Sequence, residues 1–86
     1  AGVYAVKCFL AGNSYNGIAN MGTRPTVDGS KPVLEIHIFN FNENIYGQRL
    51  TVEFINKLRE EKKFDNIDLL KEQILQDISQ AKKILE

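Results

Sequence analysis

The amino-acid sequence predicts an all-β fold, a small antiparallel barrel or strongly curled sheet, with one C-terminal α-helix set against it. Three observations carry this. Apolar and polar residues alternate with period two through residues 2–58, turn-forming residues interrupt the alternation at short intervals, and from Ile67 the apolar spacing changes to three and four. In 86 residues there is no room for a second core of roughly 50 or more residues, so residues 1–86 form one domain. A composition of 43% hydrophobic and 26% charged residues is that of an ordinary globular protein, which excludes disorder and coiled coil. Eleven basic residues balance eleven acidic ones. The positive field that backbone binding to nucleic acid needs is therefore missing, and an oligonucleotide-binding barrel is disfavoured.

The first strand is Gly2 to Leu10, with Tyr4, Val6, Cys8 and Leu10 on one face and Lys7 on the other. Ala11-Gly12-Asn13-Ser14 is turn chemistry, and Tyr15 to Met21 returns as the second arm of a hairpin. Gly22-Thr23-Arg24-Pro25-Thr26 is expected to break regular structure, and Val27 to Pro32 to form a polar loop. Val33 to Phe41 alternates again, Leu34, Ile36 and Ile38 facing one way and Glu35, His37 and Phe39 the other. After a turn at Asn42-Glu43-Asn44, Leu50, Val52 and Phe54 mark a further strand whose other face carries Arg49, Thr51 and Glu53.

The helix is expected over about 66–85, because Ile67, Leu70, Ile74, Ile78, Ala81 and Leu85 form one apolar stripe. Asp65 and Asp68 resemble a capping box at its start. No apolar stretch approaches a membrane span, and no succession of charged, apolar and small residues resembles a signal peptide. The lone Cys8 lies in an apolar run, as a buried thiol in a reducing compartment would, and the expected location is cytoplasmic. The chain opens on a strand-like run without a lead-in, so it is expected to be a piece of a longer protein.

The sequence contains no metal-binding, nucleophile-elbow or phosphate-loop motif. Glu35 stands out as a carboxylate in the middle of an apolar strand, pointing either to solvent or into a cavity that could tune it for proton transfer. His37 shares its face. Met21, Phe39 and Phe41 read as core. Arg24 and the hydroxyls of Thr23 and Thr26 could meet an anion, although a proline-stiffened turn explains them equally well. The run Leu58-Arg59-Glu60-Glu61-Lys62-Lys63-Phe64-Asp65 reads as a solvated loop, or as a wall for a planar ring through Phe64 and its neighbouring cations.

Taken together, G-V-Y-A-V at Gly2–Val6, G-I-A-N-M-G-T-R-P-T at Gly17–Thr26, L-E-I-H-I-F at Leu34–Phe39, Tyr46-Gly47 and the run Leu58–Asp65 occur in an order and spacing similar to those of the riboflavin kinase domain. The bacterial form, the C-terminal module of a bifunctional riboflavin kinase/FAD synthetase, is the nearer resemblance. It implies a six-stranded Greek-key barrel with a C-terminal helix, transferring the ATP γ-phosphate to the terminal ribityl hydroxyl of riboflavin. By resemblance Glu35 is the catalytic base, while Arg59, Lys62 and Phe64 form the flavin-side loop of about residues 58–65. The family's P-T-A-N segment, which holds magnesium and phosphates, would precede Gly2. Residues 1–86 are therefore expected to form an incomplete barrel with an exposed edge and little kinase activity, with ATP, riboflavin and an N-terminal FMN adenylyltransferase domain as partners. A non-catalytic flavin- or nucleotide-binding barrel is the alternative.

Overall fold

The computed structural model describes residues 1–86 as four strands and one helix: β1 (Gly2–Leu10), β2 (Asn13–Thr26), β3 (Gly29–Ile38), β4 (Thr51–Arg59) and α1 (Ile67–Leu85). The strands form one antiparallel sheet in the order β3-β2-β1-β4. Central β1 is paired on both sides and is mostly buried, and its one charged residue is Lys7, whose Nζ donates to Asn16 Oδ1 at 3.1 Å. Ala11 and Gly12 join β1 to β2 with φ of 49° and 83°. Both angles are left-handed, as a two-residue hairpin turn requires.

Both faces of the sheet are covered. Val6, Cys8, Ala19 and Ile38 make one core layer, closed by Phe41, Ile45, Leu50 and Val52 from the connection after β3 and the start of β4. On the other face Ala5 and Phe39 meet Ala81 and Leu85 of α1, with Ile18, Leu58, Ile78 and Ile84 packed around them. Sequence alternation assigned these faces correctly. The architecture is an incomplete barrel with a C-terminal helix, four strands standing where the family resemblance implies six.

Three local expectations change. The Gly22–Thr26 segment does not break the chain: β2 and β3 continue as a ribbon to a two-residue turn at Val27-Asp28, with Pro25 opposite Ser30 and Pro32 opposite Thr23. Met21 is not core, because it lies where β1 ends beside the ribbon and is 40% exposed. Helix α1 is capped by Asn66 rather than Asp65. The extended backbone of Asn66 lets its Oδ1 accept from Leu69 N at 2.9 Å, while Asp68 still supplies negative charge to the first turn.

Two core positions yield tests. A β-carbon at Gly17 would overlap the backbone carbonyl of His37 on the paired strand, and a backbone cannot rotate aside. Gly17→Ala is expected to cost about 1–3 kcal/mol, lowering the melting temperature by roughly 5 °C or more; an unchanged melting curve would refute the close approach. The Cys8 thiol is fully buried, and burial raises its pKa. Little thiolate exists at neutral pH, so Cys8 should react with a thiol reagent only after denaturant unfolds the chain. Rapid labelling of the native protein would contradict this.

Candidate active site

The sheet face that packs on α1 gathers the polar residues. Register places Val3 opposite both Asn20 and Arg59, Asn20 opposite Glu35, and Ile18 opposite His37. Arg59 owes its place to two register shifts in β4, between Val3/Tyr4 and Ala5/Val6 of its partner. An unbroken ladder would have carried Lys57 to Val3, so the two extra residues slide Arg59 into position.

Helix α1 seals only part of this face. Ala81 and Leu85 are buried, whereas Leu70 and Ile74, nearer the N-terminus, are partly exposed, and the same stripe that docks the helix lines a hollow there. The resulting cavity of about 410 Å³ is walled by Ile18, Leu70, Ile74, Ile78 and Phe64, with Glu35, His37, Asn20, Arg59, Glu61 and Lys62 supplying polar atoms. That volume suits a small organic ligand. A second, more polar cavity of about 220 Å³ lies under the β2–β3 ribbon, beside Gly22, Thr23, Arg24 and Pro25. Asn20, Glu35 and Glu61 border both. The Glu61 carboxylate rests against Gly22, where any β-carbon would displace it.

All four residues singled out in the sequence converge here. Glu35 is solvent-accessible, but it stands at the seam of the two cavities. Phe64 lies beside two cations, with the Arg59 guanidinium carbon 5.8 Å and Lys62 Nζ 5.5 Å from its ring centroid. His37 also faces the large cavity, its ring edge-on to Phe39 at 5.7 Å. Nearby, Lys57 and Glu60 pair at 2.9 Å, a contact that raises the lysine pKa and lowers the glutamate pKa. Any stability from that pair is present above the ordinary glutamate range and lost as pH falls through the depressed one. Because both side chains are solvated, its effect on the fold is small.

Asp77 was not foreseen. It is 2% exposed, and its carboxylate accepts from Arg59 Nε at 2.9 and 3.1 Å, Arg59 Nη2 at 2.8 Å and Gln73 Nε2 at 3.0 Å. A charge inside the apolar stripe, three residues after Ile74 and four before Ala81, was the available signal. Nowhere do three His, Cys, Asp or Glu side chains come together.

An antiparallel sheet with a helix propped off one face and a carboxylate at the mouth of an apolar chamber make a domain of the partial-barrel class. A family model described as Flavokinase: Riboflavin kinase matches residues 1–85, and the chain belongs to that family. It is 54% identical over 82 residues to a bifunctional riboflavin kinase/FMN adenylyltransferase of Haemophilus influenzae, covering 94% of this chain and 27% of the relative. The corresponding Pseudomonas fluorescens protein is 44% identical over 84 residues, again with 27% of its length covered. A crystal structure described as a macrolide-efflux protein from Streptococcus pneumoniae superposes with a TM-score of 0.87 at 33% identity, over 94% of this chain and 27% of that one. The chain thus spans about a quarter of the curated relatives it matches. No helix is long and apolar enough to cross a membrane.

Proposed function

We propose that the chain is the riboflavin kinase part of a bifunctional FAD-forming enzyme, with Glu35 as general base and Phe64, Arg59 and Lys62 as the flavin-side wall. The observation that carries the reading is the position of Glu35, which links an apolar chamber able to take a flat ring to a smaller polar cavity. With the isoalloxazine against Phe64 in the chamber, the ribityl chain would run toward the seam. There a Glu35 oxygen accepts the proton of the terminal hydroxyl, the hydroxyl oxygen bonds to the γ-phosphorus of ATP, and the bridging bond to ADP breaks. Asp77 already engages Nε and Nη2 of Arg59, so the arginine's charge is compensated and its main contribution is to brace Phe64.

The family resemblance supports ATP and riboflavin as substrates, with magnesium required. When bound, that ion would neutralise charge on the transferring phosphoryl group. The resemblance likewise supports an adenylyltransferase domain as a partner in the same protein. A free buried thiol at Cys8 is in keeping with a cytoplasmic setting.

Titrating riboflavin with the intact protein, and following FMN formation with ATP and a magnesium salt, tests the reading. Saturable quenching of flavin fluorescence together with FMN formation is the expected result. Binding without phosphorylation would favour a non-catalytic flavin module, and no saturable quenching would refute both.

A further inference from the structure

We infer that Asp77 is a positioning residue for the flavin ring, acting through Arg59 on Phe64, an inference that rests on the riboflavin kinase reading. The fold does not call for a carboxylate there. Asp77 replaces an apolar side chain in the docking stripe of α1, and burying an ion pair costs several kcal/mol in desolvation that an apolar residue of similar volume avoids. What the pair does supply is geometry. Two guanidinium nitrogens engage both carboxylate oxygens, and a planar fork held in this way has one orientation relative to α1.

Gln73, one turn earlier, fixes the carboxylate in its turn. The guanidinium carbon then lies 5.8 Å from the Phe64 ring centroid, and Arg59 Nη1 donates to the Glu60 carbonyl at 3.1 Å, which tethers the start of the loop that carries Phe64. Asp77 borders the cavity, yet its oxygens are already occupied by four donor contacts, so it acts on a ligand through Arg59 rather than by touching it. A ring-binding wall made from one loop phenylalanine would otherwise be free to swing by an ångström or more, which is enough to cost an order of magnitude or more.

Asp77→Asn in the intact protein preserves volume but removes the charge and one acceptor. The riboflavin KM and the dissociation constant from fluorescence quenching are expected to rise roughly tenfold, the usual size for loss of a supporting contact, with kcat within about twofold. An unmoved KM and dissociation constant, even with a lowered melting temperature, would make the pair purely structural and overturn the inference. So would a lower kcat at constant KM. Gln73→Met leaves the ion pair in place and provides a second reading if Asp77→Asn does not fold: a riboflavin KM raised about threefold supports the inference, and an unchanged one overturns it. Failure of the wild-type protein to bind riboflavin would instead sink the kinase reading itself, and this inference with it.

Discussion

Arg59→Met is expected to destabilise the fold by about 3–5 kcal/mol, the cost of leaving one member of a buried ion pair without its partner. The size follows from an asymmetry in exposure. The Asp77 side chain is 3% exposed and that of Arg59 is 20% exposed. Removing the arginine strands a carboxylate that cannot reach water, whereas removing the aspartate leaves a long guanidinium that can turn outward and be hydrated. Asp77→Asn should therefore cost clearly less than Arg59→Met, although both break the same pair. For a domain of this size, with roughly 5–10 kcal/mol in total, the arginine substitution removes a large share of stability. Urea unfolding followed by circular dichroism measures it: equal midpoints for the two variants, or a loss under about 1 kcal/mol for Arg59→Met, would mean that water reaches Asp77 and that the pair is a surface contact.

The same pair marks the boundary of what could be read from the sequence. Strand faces were legible because successive residues of β1 enter two different core layers, Ala5 in one and Val6 and Cys8 in the other, so period-two alternation sorts them by face. Helix α1 was legible from its stripe. The β2–β3 ribbon was not, because Gly22, Pro25 and Pro32 carry a breaker signal. Counted from the two-residue turn and its closing pair Thr26–Gly29, Pro25 and Pro32 both fall in alternate pairs where the N–H points away from the partner strand. A proline there removes no ladder bond.

Glu35, Arg59, Lys62 and Phe64 were legible as a set only through the ordered motifs of the family. Periodicity alone left Glu35 undecided between solvent and cavity, and the structure gives it some of both. Asn20, Glu61 and Asp77 went unread for a different reason. Each is an ordinary polar residue in its own segment, and only the register of β2 with β3, the two shifts in β4 and the distance from Arg59 to α1 give it a neighbour that matters.

Glu35→Gln is expected to lower the phosphorylation rate by roughly 100-fold or more while leaving riboflavin affinity within about twofold, the pattern for losing a general base that makes no large contribution to ground-state binding. Glutamine matches the shape of the carboxyl group and keeps one acceptor oxygen, but it cannot take up a proton in the transition state, so the change isolates proton transfer from packing. Little structural damage should accompany it. Glu35 is exposed, makes no ion pair or side-chain hydrogen bond, and sits on a ribbon held by its backbone ladder. A melting temperature within a degree or two of wild type is thus part of the expectation. His37, on the same face two residues along, is the internal control. His37→Gln should retain most of the turnover if the base is the carboxylate. Should the histidine variant lose the rate and the Glu35 variant keep it, the base would belong at His37, and the seam between the two cavities would have to be understood as a passage for the ribityl chain alone.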